Sequence, residues 1–481
     1  MKRICTSMYA CLMLALFARA QSADYFISDN RKVNINSFND SIKAIMDNAG
    51  IPGLSLAIIE NNKIVFVNSY GYKNNQKKIP VDPNTMFEAC SLSKTFLVFA
   101  AYQFVDRGWL DLDKPMYQYM VNPRLEHDQR YKLITPRMIL SHTSGLENWQ
   151  GMNNPDVLEI IKDPGTEYTY SGEGFHYLAE VMTHIVNKSY STYIQELVLS
   201  SLQLTATTLN YTNKDSLGDY AQGHNVFGFP MDKWITPQPW PASSVNTDAT
   251  DYSRLLIGMF GGNFLSAKSR KTLLDTCKLL EQGDSSGYYV SNGFFEIIRD
   301  KDTIINFGGN NYGFKADMLY SPVSKRGYIF FTNGDLGILP GPVINRLTTR
   351  FRANVYFDQP YFAHTRMMAA IVKKYREEGY AGMVKEVDRV AGPNLDYDAL
   401  EDMLIALFWN DKIGAENLAR EILKYRPESG CANAVLGVTL MDNHNDYSLA
   451  KTYLNKAMSL HYTFLDVGKY IKVCDDKLVK Q

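Results

Sequence analysis

Two groups of strand-like runs stand far apart in this chain, and any fold has to bring them together. The first is a hairpin from Gly53 to Tyr72. There Leu54 to Ile59 and Lys63 to Val67 are separated by Asn61-Asn62, residues that favour tight turns. A lone two-stranded hairpin is marginal in water. Its partners come much later, as Gly293 to Arg299, Thr303 to Phe307, Phe314 to Tyr320 and Gly327 to Thr332. Between about Ser93 and Phe260 the apolar spacing is mostly helical. The pattern predicts an α+β fold: an antiparallel sheet drawn from both ends of one domain, flanked by helices, with a large helical insertion. A helix from Val343 to Phe351 is expected to cover the sheet.

Chemistry concentrates in Phe87 to Ala100, where Ser91 and Lys94 precede a run that is apolar on every side. A helix without a polar face belongs inside the protein. Residues three apart share a helix face, so the Lys94 amine can reach the Ser91 hydroxyl. Burial disfavours the ammonium form and makes lysine a plausible proton acceptor. Ser91 at the helix start also meets free backbone N–H groups that favour developing negative charge. Spacing alone does not decide: Ser448 to Lys451 repeats it in an ordinary helix.

Further landmarks follow in order. They include Ile51 to Ser55, Asp82 to Phe87, Leu140-Ser141-His142-Thr143-Ser144-Gly145-Leu146, Pro164-Gly165, Tyr168 to Gly172, Thr247 to Tyr252 and Phe307 to Phe314. With Ser91-x-x-Lys94 they make residues 50 to 355 resemble the serine β-lactamase and penicillin-binding-protein superfamily. The similar branch holds class C β-lactamases, D-amino-acid peptidases and family VIII carboxylesterases. The resemblance implies a β-lactamase-like sheet and an acyl-enzyme reaction with no metal or organic cofactor. It makes Ser91 the nucleophile, Lys94 its base partner and Tyr170 the proton carrier to the leaving group. The backbone N–H groups of Ser91 and Asn310 would hold the oxyanion.

Two positions depart from that pattern. The Asn expected two residues after the tyrosine is Gly172, so Glu173 or Asn310 is a candidate to replace its amide. The edge-strand triad, usually Lys-Thr-Gly or His-x-Gly, reads Phe307-Gly308-Gly309. A phenyl ring cannot pair with the free carboxylate of a penicillin or a peptide C-terminus. An uncharged ester or amide is therefore expected as the substrate, ahead of β-lactams or cell-wall peptides. Lys315 is a further candidate for the lost cation, with its side-chain direction open. A binding or sensor protein that has kept the pocket is the alternative from another class. His142 is expected to support the fold by hydrogen bonding, and His176 and His184 lack a third ligand for a metal.

Beyond about Gln359 helix pairs follow one another without strand signals. Ala381, Ala415 and Ala450 are spaced at the tetratricopeptide period, with Pro427 closing one unit and Leu436-Gly437 and Ala457 fitting the last. An all-α helical-repeat domain over 359–481 is expected, with packing on the main domain, self-association or a protein partner as its role. The expected boundaries are 1–20, 21–358 and 359–481.

The first of these is a secretory signal. Lys2 and Arg3 precede an apolar run, and Ala18-Arg19-Ala20 suits an export peptidase. Met8-Tyr9-Ala10 makes Cys11 a poor lipidation site. Removing the signal takes away Lys2, Arg3 and Arg19, so the mature chain is more acidic than the −1 of the whole. Nothing in that balance draws in nucleic acid or an acidic membrane. No later run is long enough to span a bilayer. A periplasmic or extracellular protein acting on a small or peptide acyl substrate is expected. Cys90, Cys277, Cys431 and Cys474 read as isolated, mostly buried thiols.

Overall fold

The computed structural model describes residues 24–149, 156–213, 218–283, 286–299, 302–391, 395–463 and 465–479. The expected export signal lies outside them. The described chain opens with a small hairpin, β1 (Tyr25–Ser28) and β2 (Arg31–Asn34), followed by α1 (Ile35–Ala49). The Asn34 side chain caps α1 by accepting from the Ser37 N–H, and Gly50 at φ 71° ends it. Phe38, Ile42, Met46 and Ala49 form its buried stripe.

The sheet then begins with β3 (Gly53–Glu60), β4 (Lys63–Asn74) and the two-residue β5 (Ile79–Pro80). Asn61 and Asn62 both take positive φ, 53° and 57°, the conformation that a two-residue hairpin turn with right-handed strand twist requires. The insertion contributes the short pair β6 (Phe87–Glu88) and β7 (Asn246–Thr247), and the helices α2 (Lys94–Asp106), α3 (Gly172–Val186) and α4 (Ala249–Gly261). The chain returns to the sheet in β8 (Thr276–Gln282), β9 (Gly287–Ser291), β10 (Phe295–Arg299), β11 (Asp302–Asn311), β12 (Phe314–Ser321) and β13 (Arg326–Thr332).

The large sheet runs β5-β4-β3-β13-β12-β11-β10-β9-β8, antiparallel throughout. The two distant groups join where β3 pairs with β13, Gly327 opposite Ile59 and Thr332 opposite Leu54. Side chains alternate between two cores. Ala57 and Ile59 of β3, with Ile329 and Phe331 of β13, face the insertion helices; Leu54, Leu56, Ile58, Tyr328 and Phe330 face the other way. That second core takes in α1 and Ile344 of α5 (Pro340–Leu347).

It continues without a break into the C-terminal helices α6 (Pro360–Val390), α7 (Tyr397–Phe408), α8 (Lys412–Tyr425), α9 (Gly430–His444), α10 (Tyr447–Ser459) and α11 (Val467–Leu478). Non-helical Gly379 divides α6, so the region is built of successive helix pairs. Gly437 lets α9 and α10 approach closely, since a Cβ there would lie 2.6 Å from Leu454. Arg376 donates to the Asn48 carbonyl at 2.9 Å, and Tyr375 packs edge-on against Phe227, tying these helices to the main region.

Several expectations are corrected. The sheet has three more strands than the six runs read from sequence, and β1–β2 form an additional hairpin. Most of β8 is exposed, so its sequence carries no alternation to betray it. Among the described residues the insertion is less helical than expected: between α2 and α3 only short turns and the five-residue helix Pro136–Leu140 occur, and residues 204–213 and 218–245 carry no helix. The covering helix starts at Pro340 and stops at Leu347, where the Thr348 hydroxyl bonds back to the Ile344 carbonyl at 2.7 Å.

Candidate active site

Ser91 does not lie on the long helix itself. It sits on a 3-10 turn, Cys90–Ser93, that runs directly into α2 at Lys94. In a 3-10 turn residues three apart eclipse one another, so Ser91 and Lys94 stand on one side of it. The turn is pinned from outside: the Ala89 N–H donates to the Val245 carbonyl at 2.8 Å, and the Val245 N–H donates to Ser93 Oγ at 3.1 Å. Cys90, just before Ser91, holds φ at 52°, a left-handed conformation rarely adopted by a residue with a side chain. Such strain persists only where the surroundings enforce it.

Lys94 is fully buried. Its Nζ donates to the Ala242 carbonyl at 3.0 Å and lies 4.8 Å from the Tyr170 ring centre and 5.5 Å from that of Phe175. Desolvation in this setting pulls its pKa down to about 7, against a small opposing effect of Cys90. Burial pushes the Tyr170 phenol up, and a hydrogen-bonding interaction with the Ser91 side chain works against that rise. At neutral pH the site thus holds an uncharged phenol beside Ser91 and an amine that gives up its proton far more readily than a solvated lysine.

His142 fixes the segment that carries Tyr170. Its ring stacks on Tyr170 with centres 4.3 Å apart, its Nδ1 accepts from the Ser171 N–H at 3.1 Å, and its carbonyl accepts from the Thr169 N–H at 2.7 Å. Burial drives its pKa well below the ordinary value, so it stays neutral. Among the described residues no group of three or more His, Cys, Asp or Glu is arranged to hold a metal.

The other wall is β11. It pairs with β10 only as far as Asn306, so Phe307 to Asn311 is free of a strand on that side while β12 holds the other. Gly309 permits the approach of this segment to the Ser91 turn: a Cβ there would meet the Ala89 carbonyl oxygen at 2.9 Å and Cys90 Cβ at 3.0 Å. Gly308 and Asn310 are exposed. Phe307 is buried, edge-on to Phe295 at 5.5 Å.

The cations around the site are paired. Lys315, the candidate replacement for a lost cation, pairs with Asp335 at 3.0 Å. Glu173, the candidate to replace a missing amide, points instead to Arg124 at 2.9 Å. Asn310, the other candidate for that role, stands opposite Lys315 on the strand ladder.

Several partners were missed from sequence. Lys233 and Glu88 form a buried ion pair at 2.5 Å, and Asn311 Nδ2 donates to the same carboxylate at 2.6 Å, locking the end of β11 to β6. Trp149 fills the space beside Gly172. The glycine was a signal for that approach; the Ala242 carbonyl, a backbone group, had none.

Residues 38–350 match the Beta-lactamase family. The chain is 23% identical over 350 residues to Protein flp of Staphylococcus aureus (strain MW2), covering 68% of this chain and 67% of that protein. The fold resembles a class C beta-lactamase (TM-score 0.55, 22% identity, 65% of this chain and 94% of that one). It also resembles a D-alanine carboxypeptidase from Burkholderia cenocepacia (TM-score 0.53, 21% identity, 63% and 95%).

Proposed function

The chain belongs to the Beta-lactamase family, a family of serine hydrolases, and on that premise we propose that it cleaves a small uncharged ester or amide through an acyl-Ser91 intermediate. The observation that carries this reading is the fully buried Lys94 amine, with its pKa drawn down to about 7, over the ring of Tyr170, whose phenol interacts with the Ser91 side chain. In the neutral form Lys94 accepts the Ser91 proton while Ser91 Oγ bonds to the substrate carbonyl carbon. The carbonyl oxygen takes the negative charge, facing the backbone N–H groups of Ser91 and Asn310. Each such donor lowers the barrier by roughly 3 kcal/mol in other acyl-transfer enzymes. Tyr170 passes its proton to the leaving group as that bond breaks and is reprotonated by Lys94, which hands on the proton taken from Ser91. Water then adds to the acyl carbon with the same groups acting in reverse, releasing the acid and restoring Ser91.

Substrate charge is read from what surrounds that centre. By the sequence resemblance Phe307 replaces a cation that would anchor a carboxylate, and Lys315, Lys233 and Arg124 are each held by an acid. A second reading, action on β-lactams or D-alanyl peptides, draws on the similarity to a class C beta-lactamase and a D-alanine carboxypeptidase. Action outside the cytoplasm accords with Lys2, Arg3, the apolar run and Ala18-Arg19-Ala20.

A fluorophosphonate probe tests the chemistry: intact mass should show one adduct that disappears in Ser91→Ala. An unmodified wild-type protein would point to a binding role. Hydrolysis of p-nitrophenyl acetate beside a chromogenic cephalosporin ranks the substrates, and turnover of the cephalosporin alone would overturn the preference for neutral esters.

A further inference from the structure

The position two residues after Tyr170 is occupied by a ring from elsewhere in the chain. A Cβ on Gly172 would lie 2.7 Å from Cη2 and 2.9 Å from Cζ3 of Trp149. The two residues before Trp149 are tied down by hydrogen bonds. The Gly172 and Glu173 N–H groups both donate to the Asn148 carbonyl at 3.1 Å, Gly172 also donates to Asn148 Oδ1 at 2.9 Å, and Ser171 Oγ donates to the Glu147 carbonyl at 2.7 Å. These bonds fix the residue before Trp149 to the first turn of α3, yet the indole itself remains 47% exposed. A large apolar ring held in place and left open to solvent is placed for contact.

Trp149 is not isolated. Its ring meets Trp240 edge-on at 6.0 Å, and Trp240 meets His176 at 4.5 Å. Trp240 stands two residues before Ala242, whose carbonyl accepts the Lys94 hydrogen bond. The aromatic group is thus joined at one end to Gly172, two residues after Tyr170, and at the other to the segment that holds the Lys94 amine. Its electrostatics are neutral: burial lowers the His176 pKa to about 4, and the Arg124 guanidinium is held by Glu173.

We infer that Trp149 and Trp240 form a specificity subsite that receives an uncharged ring or apolar chain of the substrate, with Gly172 leaving the room that Trp149 needs. This rests on the proposed acyl-Ser91 chemistry, which supplies the reaction that the subsite selects for. Two indoles offer flat apolar contact and no positive charge to pair with a carboxylate.

The test compares p-nitrophenyl phenylacetate with p-nitrophenyl acetate on wild type, Trp149→Ala, Trp149→Phe and Gly172→Ala, with fluorophosphonate labelling of Ser91 run alongside. Wild type should favour phenylacetate in kcat/KM by about tenfold or more, the equivalent of one well-packed apolar contact. In Trp149→Ala phenylacetate should lose about tenfold more than acetate, chiefly through KM, and Trp149→Phe should restore most of the preference. Gly172→Ala, whose methyl displaces the indole, should erode it too. Equal losses on both esters in Trp149→Ala, or no wild-type preference, would overturn the subsite while Ser91 labelling kept the hydrolase reading standing. No labelling and no turnover in wild type would overturn both.

Discussion

Replacing Lys94 by methionine should make the protein inactive and more stable. In the folded state burial brings the amine from its ordinary 10.5 to about 7. A shift of that size corresponds to about 5 kcal/mol, since each pH unit is worth 1.36 kcal/mol. The sign follows from proton binding. Between about pH 7 and 10.5 the unfolded chain keeps a proton on Lys94 that the folded chain has lost, so the wild-type contribution to stability rises with pH across that window. Below pH 7 the penalty is at its full value. An unbranched apolar side chain removes it but leaves the Ala242 carbonyl without its donor, at a cost of about 1–3 kcal/mol. The net expectation is a gain of roughly 3 kcal/mol at pH 6 to 7 that shrinks as the pH rises and becomes a loss of about 1–3 kcal/mol near pH 10.5, where only the missing hydrogen bond remains. Urea unfolding of both proteins at a series of pH values reads the difference, and ester hydrolysis should show a wild-type limb rising through pH 7. A variant less stable at every pH, or a gain that does not vary with pH, would refute the reasoning that Lys94 is held neutral by desolvation.

Other consequences can be checked separately. Tyr170→Phe should label or hydrolyse at least about a hundredfold more slowly, the usual scale for a lost proton carrier, with its melting temperature within a few degrees of wild type. Gly309→Ala puts a methyl 2.9 Å from the Ala89 carbonyl oxygen, so it should lower kcat by moving β11 off the Ser91 turn. It should also cost about 1–3 kcal/mol in denaturant unfolding. Lys233→Ala strands the buried Glu88 carboxylate and should destabilise by about 3–5 kcal/mol, whereas Lys233→Ala combined with Glu88→Gln should recover part of that loss. Equal stability of single and double variants would show that the pair is not coupled.

What the sequence revealed was what repeats at short range. The strand-like runs Phe314 to Tyr320 and Gly327 to Thr332 located β12 and β13 to within a residue, and Asn61-Asn62 announced the turn between β3 and β4. Strand β8 escaped because an exposed edge needs no apolar face, and Lys278, Glu281 and Gln282 hide it among loop residues. In the candidate site, Ser91 and Lys94 stood out by their apolar surroundings. Their neighbours did not. Lys94 is satisfied by a main-chain carbonyl from Ala242, and Glu88 by Lys233 from a segment without regular structure. Contacts between distant positions carry no local mark, and a glycine such as Gly172 says only that something comes close.

The pairing of β3 with β13 has a consequence for how the chain is made. Every residue of β3 is buried in the finished molecule, yet one of its two flanking neighbours is the last strand of the sheet to be synthesised. Until then the nascent chain exposes an oily, hydrogen-bond-hungry ribbon to its surroundings. Such late closure slows folding and invites association with other unfinished chains. Fragments that stop before Arg326 should therefore aggregate, and a holding chaperone should bind them through Leu54 to Ile59.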